Sequence, residues 1–144
     1  MKKFVKILSL ILAISFVFVL SGCGNKLKIK DVDSITLSCP SDDDEDGKSV
    51  ILTSNMHSSD FYEIIELCQG EILDSIEEGP FFGLAKITFT KTDGNTYTIY
   101  PACDGSSYLC LDSLNDMLAS YVKLEDSTMA RLTAILKKHD ITLS

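Results

Sequence analysis

The stretch GLAKITFTKTDGNTYTIYP, residues 83–101, predicts a β-hairpin. Two runs that alternate between apolar and polar residues flank an Asp-Gly pair, which is the period-two pattern of half-buried strands. A two-residue turn at that pair would place Phe89 opposite Thr98 and mix the two faces of the hairpin. A three-residue loop ending at Gly94 instead places Phe89 opposite Tyr97, and gives glycine the left-handed position of a type I turn with a bulge. We therefore expect the three-residue loop.

Shorter alternating runs on both sides of this hairpin predict further strands. SITLSC at 34–39 and SVILT at 49–53 form a second hairpin with a long acidic tip. SSYLCLDS at 106–113 follows an Asp-Gly turn and predicts another strand, and LASYVKL at 118–124 is a weaker strand candidate. The chain is therefore rich in short strands that are close in sequence.

Two stretches change to a helical period. The first begins near Ser59-Asp60, which can cap its start, and the Gly79-Pro80 pair would stop it; Gly70 would end or kink it. The second is EDSTMARLTAILKKHD at 125–140, with basic residues in its last turn. The apolar stripe of the first helix consists of Phe61, Ile64, Ile65, Cys68, Ile72 and Ile76.

These elements predict an α+β fold. We expect an antiparallel β-sheet with an internal helix and a C-terminal helix packed on one face. A length of 144 residues suits one domain with a single modest core. The single α+β domain would cover residues 34–144, after the lipidated cysteine and a tether at 23–33. Because Leu27 and Ile29 alternate with polar residues, the alternative is that this stretch begins the first strand.

The N-terminus has the pattern of an export signal. A basic start is followed by an uncharged apolar run at 7–20, which has the length of a signal-peptide core and is short for a membrane span. The sequence LSGC at 20–23 resembles the lipobox of bacterial lipoproteins. This resemblance implies that residues 1–22 are a signal peptide and that Cys23 carries acyl chains, which anchor the domain to the extracytoplasmic side of the cell membrane. The alternative is an uncleaved N-terminal helix.

The charge of the chain excludes one class of partner. Thirteen basic residues face 21 acidic ones, for a net charge of −8, and removal of the three lysines in residues 1–22 would make it −11. Nucleic-acid binding needs clustered Lys and Arg, so we expect no nucleic acid as partner. Anionic lipid would also repel this domain, so its contact with the membrane would be the lipid anchor alone.

The part of the chain between residues 34 and 139 resembles small lipoprotein domains that are common in Gram-positive gut bacteria and have no known activity. The resemblance rests on a hairpin around DGNTYTIY at 93–100, a strand that bears a tyrosine and a short final helix. It implies a location in the cell envelope and no particular reaction.

The acidic tip between the first two strands contains half of a calcium-binding loop. Asp42, Asp44, Asp46 and Gly47 spell D-x-D-x-D-G, as at the start of an EF-hand loop. The twelfth position, which needs a bidentate carboxylate, is Thr53, and the flanks are strands where an EF-hand has helices. A calcium-responsive module is therefore one alternative for the function, with Ca²⁺ as the one cofactor considered. The other interpretation is a solvated turn.

Cysteine usage leaves a second alternative. Four cysteines remain besides Cys23, an even number that could form disulfides in an oxidising envelope, although the sequence does not fix their pairing. Free thiols on apolar stripes are the other interpretation, and a thiol-dependent enzyme would use one of them. The four are Cys39, Cys68, Cys103 and Cys110.

Catalytic motifs are missing from the sequence. It has no G-x-S-x-G, H-E-x-x-H or phosphate-binding loop, and we expect its two histidines, His57 and His139, at ordinary surface positions. By elimination we expect a non-catalytic binding or accessory module of the cell envelope, with an envelope protein or peptide as partner. Exposed strand residues could form its surface, unless strand propensity alone explains them: Thr88, Thr90, Thr96, Thr98 and Tyr100.

Overall fold

The computed structural model describes residues 26–40, 47–76, 79–111 and 120–143. These residues form seven strands and two helices, which confirms the predicted α+β class. In chain order they are β1 (Val32–Cys39), β2 (Lys48–Thr53), α1 (Ser58–Leu67), β3 (Glu71–Leu73), β4 (Lys86–Lys91), β5 (Thr96–Pro101), β6 (Tyr108–Leu111), β7 (Ser120–Lys123) and α2 (Asp126–Lys138).

All seven strands belong to one antiparallel sheet with the order β2-β1-β4-β5-β6-β7-β3. Strands β4 to β7 are neighbours both in sequence and in space, which antiparallel pairing allows without a long crossover connection. Strand β3 is the exception, since it follows α1 in the chain and pairs with β7 at the far edge.

The three-residue loop of the β4–β5 hairpin is confirmed. Phe89 lies opposite Tyr97, and Ile87 lies opposite Ile99. The N–H of Lys91 donates to the carbonyl of Asn95 at 2.8 Å, which closes the loop. Gly94 has a φ of 87°, in the left-handed region that the turn requires.

Of the two predicted ends of the first helix, the structure has the earlier one, close to Gly70, and the continuation to Gly79-Pro80 is wrong. Helix α1 ends at Leu67, and Ile72 lies in β3 opposite Val122 of β7. Gly70 makes this return to the sheet possible, because a Cβ at that position would lie 2.4 Å from the carbonyl oxygen of Lys123. The apolar stripe that was predicted for one helix therefore belongs in part to α1 and in part to the strand β3 that follows it.

Residues from Lys26 onward, which the sequence pattern assigns to the tether, contact the folded domain. Ile29 is 5% exposed and belongs to the core, and Leu27 packs beside it. The N–H of Leu27 donates to the carbonyl of Gly70 at 2.9 Å, and Lys26 forms an isolated bridge with Glu71. The folded part thus includes residues from Lys26 onward, since backbone pairing and apolar burial hold them to the edge of the sheet.

Both helices cover the same face of the sheet. The buried residues of α1 and α2, such as Ile64 and Leu132, form one cluster with side chains that alternate along the strands. The strand residues in this cluster include Ile35, Leu37, Leu52, Ile87, Phe89, Ile99, Leu109 and Val122. None of the described helices is long and apolar enough to cross a bilayer, and Cys23 lies outside the described residues, so its lipidation stays a prediction.

Candidate functional site

The sheet has a second face that neither described helix covers, which we call the open face. Because side chains alternate along a strand, it carries the residues between those of the core. Every one of its side chains is half-buried or exposed, whereas the opposite face is largely buried. The open face consists of Ser34, Thr36, Ser38, Ser49, Ile51, Thr53, Glu71, Leu73, Lys86, Thr88, Thr90, Thr96, Thr98, Tyr100, Tyr108, Cys110, Tyr121 and Lys123.

Most open-face side chains on β2, β1, β4 and β5 carry a hydroxyl group, and we call this part the hydroxyl half. Thr36 lies opposite Thr88, and Thr88 lies opposite Thr98, so three threonines form a row across three strands. The Oγ1 atoms of Thr88 and Thr98 are 3.2 Å apart and share a hydrogen bond. Serine and threonine hydroxyls both donate and accept hydrogen bonds, so this half can donate to a polar ligand or accept from it.

The other half, on β5, β6 and β7, is aromatic. Tyr100 lies opposite Cys110, which lies opposite Tyr121, and Tyr108 is two residues before Cys110 on the same face of β6. The ring of Phe82, from the segment before β4, stacks on Tyr121 with a centroid distance of 6.0 Å and an interplanar angle of 23°. These rings are half-buried, so packing fixes them while part of each stays accessible.

A depression of about 510 Å³ adjoins the aromatic half. Leu73 and Tyr108 line it, together with Pro80, Asp104 and Ser106. The carboxylate of Asp104 accepts hydrogen bonds from the hydroxyl of Ser106 at 2.5 Å and from its N–H at 3.0 Å, and these bonds lower the pKa of Asp104. The lining of the depression therefore combines a negative group, which its hydrogen bonds hold in place, with apolar side chains.

The alternation of residues in the sequence predicts part of the open face correctly. Thr88, Thr90, Thr96, Thr98 and Tyr100, the residues proposed from strand alternation, all lie on the open face. Tyr108 and Tyr121 were missed, although each lies next to a buried residue, Leu109 or Val122, and strand parity alone would have placed it. No sequence signal indicated the stack of Phe82 on Tyr121, because it depends on how the segment before β4 crosses the sheet.

A second polar group lies on the helical side, where Asp60 contacts Lys138 and His139; we call it the Asp60 cluster. The Nε2 of His139 is 2.7 Å and the Nζ of Lys138 2.9 Å from Oδ2 of Asp60. The hydrogen bond from Lys138 is the main cause that lowers the pKa of Asp60, helped by His139 and opposed by burial. The ring of His57 meets that of His139 edge-on at a centroid distance of 5.5 Å.

The Asp60 cluster corrects two expectations. The sequence predicts Ser59 or Asp60 as the cap of α1, but the N-cap is His57, in a left-handed conformation and without a side-chain cap bond. His139 was expected at an ordinary surface position, but its side chain is only 10% exposed. Since its contacts join the first turn of α1 to the end of α2, the Asp60 cluster stabilises the packing of the two helices.

The calcium prediction is untested by the structure. Asp42, Asp44 and Asp46 lie outside the described residues. In the part of the chain that the structure describes, no group of three or more His, Cys, Asp or Glu side chains is arranged to hold a metal ion. The calcium site therefore stays a prediction from the sequence.

The cysteines occupy different parts of the fold, and Cys39, Cys68 and Cys103 carry free thiols. Cys68 is fully buried in the core, and burial raises its pKa to about 12, so this thiol is protonated at neutral pH and acts as a small apolar group. The Sγ of Cys39 is 3.7 Å from the carbonyl oxygen of Thr142, and that of Cys103 is 3.3 Å from the carbonyl oxygen of Phe81. Cys110 lies on the open face.

Comparison with protein-family models, with curated proteins and with solved structures finds no match to this chain.

Proposed function

We propose that this chain is a lipoprotein anchored through Cys23 on the extracytoplasmic side of the cell membrane, where it works as a non-catalytic binding or accessory module of the cell envelope. The open face is its binding surface. The observation that carries this proposal is the contrast between the two faces of the sheet, since both helices pack on one of them and leave the other lined by hydroxyl and aromatic side chains.

Support for a binding role comes from the shape of that surface. A seven-stranded antiparallel sheet is a broad and rigid platform, and its open face presents side chains from every strand. Tyrosine and threonine have few rotatable bonds, so ordering them against a ligand costs little conformational entropy. Aromatic residues at an accessible surface are typical of recognition sites.

The test is in-cell crosslinking from defined positions of the full-length, tagged lipoprotein. A photo-crosslinking residue replaces Thr98, on the open face, and in a matched control it replaces Tyr62, which is 60% exposed on α1. After irradiation of living cells, adducts are separated on gels and identified by mass spectrometry. We expect a dominant adduct from position 98 and none above background from position 62.

Two further results bear on the anchor and on the surface. The variant Cys23→Ala should lose acylation and leave the membrane fraction, since the lipid is the expected attachment. Equal adducts from positions 98 and 62 would contradict a binding role for the open face, and no adduct from either would contradict a protein or peptide partner there.

A further inference from the structure

We propose that the open face binds a neutral saccharide, with the aromatic half stacking on sugar rings and the hydroxyl half bonding to sugar hydroxyls. This inference rests on the proposed function, because it names the ligand class of the same surface. Charge, hydrogen-bonding chemistry and the spacing of the aromatic rings each point to such a ligand.

The charge of the open face differs from that of the chain. The chain has a net charge of −8, but only three of the face's 18 side chains carry a formal charge at neutral pH: Lys86, Lys123 and Glu71. Their formal charges nearly cancel, so the face neither attracts a cationic ligand nor neutralises the charge of an anionic one. The acidic remainder of the domain would repel an anionic polymer. An uncharged ligand fits this arrangement.

The hydrogen-bonding groups of the face are almost all hydroxyls. Twelve of its 18 side chains are serine, threonine or tyrosine, which donate and accept equally and so complement a ligand that is itself rich in hydroxyls. An extended peptide bonds through its backbone, and that backbone pairs at the edge of a sheet and not across its face. Protein interfaces also need an apolar centre, whereas the aliphatic side chains here, Ile51 and Leu73, lie near opposite edges.

The aromatic rings have the spacing of an oligosaccharide site. Tyr100 on β5 and Tyr121 on β7 occupy the same cross-strand row, two strand spacings or about 10 Å apart. Tyr108 stands on the strand between them, and Phe82 holds the ring of Tyr121 from one side. Flat ring faces bind the C–H surfaces of sugars by dispersion and hydrophobic contact. The distance suits several linked sugars and exceeds the size of one.

The depression beside this half offers a place for the end of such a chain. It is lined by Tyr108, Leu73 and the Asp104 carboxylate, which Ser106 fixes in position. A carboxylate that is held in place accepts hydrogen bonds from ligand hydroxyls without losing side-chain entropy on binding.

The test measures binding to the full-length lipoprotein in a detergent without a sugar head group. Neutral malto-, cello-, xylo- and chito-oligosaccharides of several units serve as probes, with polygalacturonate as the charged comparison. The chain has five tyrosines and no tryptophan, so its intrinsic emission is that of tyrosine. Three of the five, at positions 100, 108 and 121, lie on the open face, and we expect a neutral saccharide to change their emission.

Two variants and two controls locate the site. Tyr121→Ala should weaken binding about tenfold through the lost stacking contact. Thr98→Val keeps the shape and strand propensity and removes one hydroxyl, which should weaken binding about two- to tenfold. The controls Tyr62→Ala and Thr142→Val change exposed residues away from the open face and should leave binding unchanged. Circular dichroism confirms that each variant folds.

The outcomes separate this inference from the proposed function. Binding of a neutral saccharide that both open-face variants weaken would support it. Binding that neither variant changes would overturn it, since the site would lie elsewhere. If no saccharide binds while position 98 crosslinks to a protein in cells, the ligand class is wrong and the binding module stands. If neither experiment gives a signal, both proposals fall.

Discussion

Replacing Asp60 by alanine should lower the free energy of unfolding by about 2–4 kcal/mol. The carboxylate is 6% exposed and accepts from His139, whose side chain is 10% exposed, so this hydrogen bond to a charged group is worth about 1.5–3 kcal/mol. Lys138 is 66% exposed, and solvent screening limits its share to about 1 kcal/mol.

The matched control is Glu63→Ala. Glu63 pairs with Arg131 across the same two helices, but the two side chains are 28% and 64% exposed. An exposed pair of this kind contributes less than about 1 kcal/mol, so the control should be nearly neutral. The comparison separates burial from the mere presence of an ion pair between α1 and α2.

The pH dependence of the free energy of unfolding is a second test of the role of the Asp60 carboxylate. The pKa of Asp60 is lowered from its ordinary value of 3.8, chiefly by the hydrogen bond from Lys138. A carboxyl with a lowered folded-state pKa stabilises the fold above its unfolded pKa, and this contribution disappears as the pH falls through the folded-state value. The difference between wild type and Asp60→Ala should therefore still be present at about pH 5 and shrink below pH 3.8.

Urea unfolding followed by far-ultraviolet circular dichroism measures both effects, provided that the slope with denaturant is the same in each variant. The reasoning is refuted if Asp60→Ala costs no more than Glu63→Ala, because burial of the Asp60 cluster would then contribute nothing. It is also refuted if the loss in Asp60→Ala does not change between pH 7 and pH 3.

Three further predictions concern the backbone and the core. Gly70→Ala should cost about 1–3 kcal/mol in urea unfolding, because the new Cβ would lie 2.4 Å from the carbonyl oxygen of Lys123, whereas Gly79→Ala, with open space around it, should be nearly neutral; equal effects would contradict the close approach at β3. Gly94→Ala should cost about 1 kcal/mol in the same assay, since its φ of 87° strains any residue with a Cβ, and a neutral result would show that the loop adopts another turn. Cys68 should resist iodoacetamide at neutral pH in the native protein and react once urea unfolds it, as followed by peptide mass spectrometry, because the thiol is buried and its pKa is about 12; rapid native labelling would contradict its place in the core.

Local patterns predicted the parts of the fold that depend on residues close in sequence. The register of the β4–β5 hairpin follows from keeping Phe89 and Tyr97 on one face, and three residues suffice to close that loop. Gly70 was a predicted end of α1, but strand β3 after it was not predicted, because Ile72 fits a helical stripe and a strand equally well. What decides between them is the close approach of Gly70 to β7, a contact between segments about 50 residues apart.

The open face and the Asp60 cluster also differ in whether a local sequence pattern predicts them. The threonines of the open face were predictable, because strand parity separates them from buried neighbours such as Ile87 and Ile99. The Asp60 cluster was not, because 78 and 79 residues separate Asp60 from Lys138 and His139. Nothing in a local pattern distinguishes a helix cap from a carboxylate that is held by the end of a distant helix.

The backbone contacts of Lys26 and Leu27 with the β3 edge affect how the domain is oriented on a bilayer. With acyl chains on Cys23, two residues separate the lipid from Lys26, a span of about 10 Å when extended. The β3 edge would then be held beside the head groups, and β2, six strand spacings away, would reach about 29 Å further out. In that upright orientation the open face looks along the plane of the membrane, so a long polymer could pass beside it without meeting the lipid.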